Sequence, residues 1–448
     1  MSRELIPLIE PILKEAQKLG AEEAEIYAQS INSKDVNIES NNLKSAVSQV
    51  LEGAGIRILK NRSIGFASVN SLGEKNLKEG VKNAVAIAGV TPSMDHYRLS
   101  PAKEITKVPK LYDSAVADMS MDDAIGKAEV LLKSAQQVDP RVKVDSATFS
   151  ASTCDAAIVT STGIEASEQK SSLGWFILGM AVDGEDIGSL DYEVNECVSL
   201  KDAEPEASGR MLGEKVLEYL NAEKTESFEG PAILSADALG DLIDVVIQSA
   251  SASKIQADAS YLKDRLGEKV FSESLTIIDD GTLENKTGST SFDREGVPHT
   301  KYSIVEKGVF KGVLYDTFTA NKESLESSGH AFGSFRQTPT IQGTNLEIEK
   351  GSQTLESMIS EISHGLYIPR ISAFPDPVSG DFAGPVKGGQ LIKNGEIVST
   401  LKEITITGNL FEALKNITAI SKECKFSAFQ GQSALFPEIT VAGMKFAC

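Results

Sequence analysis

The stretch "LGDLIDVVIQSASAS", residues 239–253, holds the side chains best spaced for chemistry. Read as one amphipathic helix, it puts Leu239, Leu242, Ile243, Val246 and Ala250 on an apolar face. Asp241, Asp244, Gln248 and Ser251 recur at the same spacing on the opposite face. A carboxylate and an amide one turn apart stand where a helical metalloprotease carries its zinc ligands. Three readings stay open on these residues alone: a metal-binding helix, an ordinary solvated face, or a site that has lost its metal. Elsewhere the candidates are weaker. His96, His299, His330 and His364 are isolated from one another, and no H-E-x-x-H or zinc-finger spacing occurs. His330, in "ESSGHAFGSF", suits a mobile-loop ligand or, more plainly, a solvent-exposed loop histidine; His299 beside Pro298 reads as turn chemistry. There is no G-x-S-x-G elbow and no phosphate-binding P-loop, and "GPVKGGQ" at 384–390 lacks the loop-to-helix context of a phosphate cradle. Cys424 has no histidine near it in sequence and reads as a plain buried or surface thiol.

Composition narrows the classes. The 448 residues carry a net charge of −20, with acids spread along the chain and no dense Lys/Arg run. Such a surface repels phosphate backbones, which argues against direct nucleic-acid binding. No uncharged apolar stretch approaches the ~20 residues of a membrane span. The opening "MSRELIPLIEPILKEAQKLG" has acids and prolines within its apolar run, unlike a signal peptide. Cys154, Cys197, Cys424 and Cys448 are scattered, which suggests free thiols and a cytoplasmic setting.

The elements that would hold these residues fall into three units. Residues 3–19 and "NLKEGVKNAVAIAG" read as helices, with strands at "AEIYAQ", "DVNIES", "SAVSQVLEGAGIRILK" and "SIGFASVN" between them. Turn signals stand at Asn41-Asn42 and Asn61-Arg62. A proline-bearing stretch from about 92 to 118 suggests a boundary between units at 1–95 and 115–225. The second unit has a helix at 121–137, long strands near 143–161 and 163–184, and an acidic helix near 202–221. From 228 to 448 short β-like runs alternate with glycine turns, as in a curved or barrel-like sheet. The fold class expected is α+β, a mixed helix/strand N-terminal region followed by a β-rich C-terminal domain.

The run "SGDFAGPVKGGQLIKNGEIVSTLKEITITGNL", residues 379–410, resembles the signature of the TldD/PmbA family, in its PmbA (TldE) branch. "FDREGVPHTKYSIVEKGVFKGVLYDTFTANK" (292–322), "GAGIRILKNRSIGFASVN" (53–70) and the strands around "TSTGIEASEQ" are similar to the same family. The resemblance implies a two-subunit metallopeptidase whose TldD-type subunit carries H-E-x-x-x-H on a helix opening the third domain, plus a cysteine ligand near the C-terminus. Counting back without gaps from "RLGEKV" (265–270) puts Ile243 at the first His, Asp244 at the Glu and Gln248 at the second His. Isoleucine has no lone pair to offer, and an amide oxygen is a poor zinc ligand. The spacing around Cys424 differs from that of the metal-binding branch, so its ligand role is not carried over. The resemblance thus implies a non-catalytic subunit without cofactor, zinc being expected only in a TldD-like partner. Heterodimer formation, a homodimer when alone, and the holding of unfolded peptide follow as expectations. A substrate groove or interface is expected at Asp381, Phe382, Asn394, Gly395, Glu396, Gly408 and Asn409. The alternative is a stand-alone, homodimeric, chaperone-like peptide binder. The older family label, modulator of DNA gyrase, finds no support for direct DNA binding in a charge of −20.

Overall fold

Two long alternating segments near the N-terminus fold as unbroken strands in the computed structural model, which describes residues 4–429 and 432–447. Helix α1 (Ile6–Lys18) takes Pro7 in its first turn, where a backbone N–H has no helical partner to lose. "AEIYAQ" and "DVNIES" are two ends of one strand, β1 (Glu23–Glu39), because the intervening residues keep the pairing with β2 (Asn42–Lys60). Ser40 and Asn41 turn the hairpin with φ of 47° and 66°, as two-residue turns joining twisted strands require. Asn61 and Arg62 repeat the device before β3 (Ser63–Val69). Helix α2 (Glu74–Val90) follows, running one residue past Gly89.

The stretch at 92–118 does not separate two sheets. β4 (Val142–Thr160) pairs antiparallel with β1 from Glu25↔Thr160 to Glu39↔Ser146. With β5 (Glu165–Asp183) and β6 (Asp191–Cys197) the strand order is β3-β2-β1-β4-β5-β6. The units drawn at 1–95 and 115–225 therefore contribute to one sheet carrying two cores. Alternation says that each strand has a buried face; it does not say which strand lies on its far edge. Helices α1 and α2 cover one stretch of the sheet, and α3 (Met121–Gln136) and α4 (Pro205–Leu217) cover the other. All four lie on the face that carries Ile26, Ala28 and Val36 of β1, Phe149 and Val159 of β4, and Leu173 and Trp175 of β5. Strand side chains alternate in direction, so Tyr27, Gln29, Ile31, Cys154, Glu168 and Lys170 belong to the opposite face.

The C-terminal half is β-rich, a 13-stranded mixed sheet. Its backbone is the long strand Gln432–Ala447, which pairs with strands 228–234, 345–348, 405–409 and 417–429. The order is open among the described residues: the terminal strands Val309–Phe310 and Glu396–Thr400 do not pair with each other. Helix α5 (Ala236–Ser249) packs into the largest core. Its N-cap Ser235 accepts Ala238 N–H, and Asp237 in the first turn takes Lys425 Nζ at 2.8 Å. The helix ends at Ser249, short of the expected 253. Leu314 takes over the backbone there: its N–H reaches Ala250 O and its carbonyl accepts Ala252 N–H, both at 2.9 Å. Ser251 is consequently buried rather than on a solvated helix face. No helix among the described residues is long and apolar enough to cross a membrane.

Candidate functional site

A cavity of about 330 Å³ forms where loops of the C-terminal half lie over the free face of the N-terminal sheet. Its floor follows the β-register. Ile31 stands across from Cys154 and Cys154 from Lys170; in the next row Gln29 faces Ala156, which faces Glu168. Its roof comes from residues 287–299 and 330–344. Tyr27, Phe292 and the buried Phe335 join Ile158, Ile164 and Ala166 in a small apolar cluster that seats the roof. Lys170 Nζ donates to Thr287 O at 2.8 Å, and Glu168 accepts Ser291 N–H at 2.8 Å together with the Ser291 hydroxyl. Gln29 spans the joint: its Oε1 accepts Phe335 N–H at 3.1 Å.

Burial tunes each titratable group here. Desolvation holds Lys170 below the ordinary lysine range although Glu168 and Glu196 oppose the shift, and it raises Glu168. The Cys154 thiol is pushed up to about 11, so it is no nucleophile at neutral pH. His299 is pushed down to about 3 by burial, then by His330 and Lys170. His330 is pushed down to about 4 by burial. His330 is buried rather than an exposed loop residue: Ser328 Oγ meets its Nδ1 at 2.8 Å, and Asp279 Oδ2 lies 3.7 Å from Nε2. His299 packs edge-on to it, with ring centroids 6.5 Å apart.

Beside the cavity the two halves are joined by buried charges. "FDREG" (292–296) places Asp293, Arg294 and Glu295 side by side, each at most 3% exposed. Arg294 Nη1 donates to Glu25 Oε1 at 2.8 Å and its guanidinium lies 4.0 Å from the centre of the Tyr27 ring. Arg57 bridges Glu25 and Glu295, reaching Glu295 Oε1 at 2.6 Å. Glu295 also accepts Thr317 N–H at 2.7 Å. Asp293 accepts the N–H groups of Glu295, Val297 and Ala331, yet burial and then Glu295 push its carboxyl up to about 8.

On α5, Asp244 and Gln248 are exposed one turn apart, and Gln248 Nε2 donates to Asp244 Oδ2 at 2.6 Å. Ile243 is fully buried in the core, with Leu239, Leu242 and Val246. Val245 and Ile247 are buried too, so the apolar surface extends well beyond the face read from spacing. A metal ion does not fit these residues: Ile243 has no donor atom, and the amide of Gln248 is held by its neighbour's carboxylate. Among the described residues no three His, Cys, Asp or Glu side chains converge as a metal site. Cys424 is half-buried on strand 417–429, opposite Pro437, its thiol raised by burial. His96 is exposed in a turn, and His364 packs on Phe228 with centroids 4.3 Å apart. Cys448 lies outside the described residues.

Residues 227–448 match the model described as PmbA/TldA metallopeptidase C-terminal domain, and residues 24–88 that of PmbA/TldA metallopeptidase domain 1. An uncharacterized protein of Methanocaldococcus jannaschii is 30% identical over 415 residues, which cover 91% of this chain and 93% of that one. This chain belongs to the PmbA/TldD metallopeptidase family. A relative from Haemophilus influenzae, named metalloprotease PmbA homolog, is 27% identical over 96% of this chain and 94% of its own. The fold is similar to the crystal structure of TldE from Thermococcus kodakarensis, with a TM-score of 0.90, 23% identity, and coverage of 98% and 100%.

Within this PmbA/TldD chain the residues expected to form a groove lie in two places. Asp381 and Phe382 pair with Asn409 and Gly408 on neighbouring strands, and Asn409 Nδ2 donates to Asp381 Oδ1 at 2.9 Å. Phe382 is buried beneath Gly408, while Asn409 caps the helix Leu410–Lys415 by accepting Glu412 N–H. Asn394 and Gly395 instead form a hairpin turn before Glu396, pinned by hydrogen bonds to Ser363 O and Ile362 O. None of the seven lines the cavity. Its floor was missed because Cys154, Glu168 and Lys170 sit on strands in which polar residues occupy both faces. The one available signal was "DRE", three consecutive charges set between Phe292 and Gly296, where full burial demands mutual pairing.

Proposed function

We propose that this chain is the non-catalytic subunit of a TldD-type zinc peptidase, enclosing and holding extended peptide beside a metal site that the partner supplies. The observation that carries the reading is α5. At the positions matching the family's metal motif, Ile243 is sunk in the core and the amide of Gln248 is bound to Asp244. Hydrolysis at zinc needs an open-coordinated metal to acidify water and a base to take its proton. Ile243, Asp244 and Gln248 assemble neither. What remains for this chain is positioning, which lowers a barrier by holding the substrate in place. The partner is a TldD-like subunit in a heterodimer. A homodimer forms in its absence, and the setting is cytoplasmic.

The test is reconstitution. Purified without a His-tag, the protein should carry far less than one zinc per chain by elemental analysis, and should leave casein peptides intact. Mixed with a TldD-type subunit it should raise that subunit's turnover. Asp244→Ala should change the mixture's rate less than twofold. One zinc per chain, or peptide hydrolysis by the isolated protein that Asp244→Ala abolishes, would refute the assignment.

A further inference from the structure

Lys170 stands half-buried in the cavity floor, and among the described residues its three ammonium protons have a single protein acceptor, Thr287 O at 2.8 Å. An ammonium partly withdrawn from water gains from a partner for its charge and its remaining protons. The cavity's carboxyl groups have partners of their own: Glu168 takes the Ser291 hydroxyl, Glu196 that of Ser172, and Asp293 in the roof three backbone N–H groups. Even with Glu168 and Glu196 in range, burial wins and the lysine is held below its ordinary range. The ammonium therefore keeps protons to donate into the cavity. Two more side chains at the cavity, His299 and Gln342, make no side-chain hydrogen bond to the described residues. Tyr27, Ile31 and Phe292 supply apolar wall, and Phe332, 42% exposed, marks the side open to solvent.

We propose that this cavity binds the free C-terminal carboxylate of a peptide, with Lys170 as its cationic anchor and the apolar walls against the last side chain. A terminal residue carries its carboxylate and side chain on one carbon, matching an ammonium flanked by apolar wall. A phosphate would set about two negative charges against Glu168 and Glu196 on the same face, whereas one carboxylate answers one ammonium. The volume stands at the small end of ligand pockets, which run from about 300 to 1,000 Å³, and suits a chain end more than a strand passing through. That the ligand is a peptide rests on the proposed function; that it presents a carboxylate rests on Lys170.

The experiment uses the full chain and an unstructured octapeptide ending in Leu, labelled at its N-terminus, prepared as free acid and as C-terminal amide. Fluorescence anisotropy should show the acid binding at least tenfold more tightly than the amide. Lys170→Met should bring the acid to the level of the amide and leave the amide unchanged, with an unaltered circular dichroism spectrum showing that the variant folds. Glu168→Gln, which removes a competing negative charge and keeps the lysine, should strengthen acid binding; it decides the matter if Lys170→Met does not fold. Equal binding of acid and amide by the wild type, an acid preference surviving Lys170→Met, or weaker acid binding by Glu168→Gln would each overturn the proposal. Acid preference without stimulation of a TldD-type subunit would sustain this inference and refute the subunit role. Stimulation without acid preference would do the reverse.

Discussion

Glu25→Gln tests what joins the two halves. The Glu25 side chain is fully buried and each of its oxygens takes a guanidinium, Arg57 on one and Arg294 on the other. Glu295 balances the second positive charge through Arg57. Glutamine keeps the shape but leaves two buried guanidiniums facing one carboxylate. Breaking one partner out of a buried ion pair costs about 3–5 kcal/mol. One group nearby can soften the loss. Asp293 is held protonated at neutral pH, with its carboxyl near 8, and ionising it at pH 7 costs only about 1.4 kcal/mol, one unit's worth. The expected destabilisation at pH 7 is therefore about 3 kcal/mol, and it should shrink above pH 8, where Asp293 ionises without cost. Urea unfolding followed through Trp175, the single tryptophan and buried in the N-terminal half, reads this out. With a urea slope of about 2–3 kcal/mol per molar, the midpoint should fall by about 1 M. Adding Arg294→Gln restores charge balance and should recover part of the loss. The exposed pair Lys44–Glu39 is the control: Glu39→Gln should move stability by less than about 0.5 kcal/mol. A midpoint for Glu25→Gln within about 0.2 M of wild type would refute the idea that these charges lock the halves together.

Acid sensitivity should track the two cavity histidines. His299 and His330 are held neutral, at about 3 and 4 against an ordinary 6.5, so the unfolded chain takes up protons that the folded chain refuses. Their contribution is fully present above pH 6.5 and is lost as pH falls through 6.5 toward 4; His299→Gln/His330→Gln should flatten the stability curve over that window relative to wild type. Gly388→Ala should cost about 3 kcal/mol or more and lower the melting temperature, because a Cβ there would stand 1.9 Å from the Tyr219 ring at a φ of +61°. Light scattering on the isolated protein should report a homodimer of about twice 47.9 kDa at micromolar concentration; a monomer under those conditions would contradict the association proposed.

Local pattern carried much of the fold to view. Apolar spacing located α5 within a few residues, and asparagine turns marked both hairpins of the first three strands. What pattern could not supply was long-range pairing. β1 is seventeen residues long, and nothing in its alternation announces that β4, more than a hundred residues away, occupies its second edge. The same limit explains α5's end, since the Leu314 backbone that captures Ala250 and Ala252 lies some sixty residues on. Spacing also misjudged His330: a segment rich in glycine and serine reads as exposed, but glycine equally lets a loop pack against Asp279 and Tyr302. On α5 the local reading and the geometry part in an instructive way. Ile243 is adjacent in sequence to Asp244, yet one faces the core and the other water, so a motif aligned by residue count spans two environments.

The cavity follows from the parity of a sheet. Four helices take one face of β1, β4 and β5, and they leave the other with Gln29, Ser152, Cys154, Glu168 and Lys170, residues that water would solvate in an isolated N-terminal half. Only when residues 287–299 and 330–344 close over that face does Lys170 become part of a cavity, half-buried and bonded to Thr287 O. Binding chemistry at this place is therefore a property of the joined halves. Arg294 makes the dependence physical, since it lies against Tyr27, which lines the cavity, and binds Glu25 in the ion cluster. A change at Glu25 should consequently reach the cavity through Arg294 and Tyr27, weakening ligand binding along with stability, even though Glu25 itself does not line the cavity.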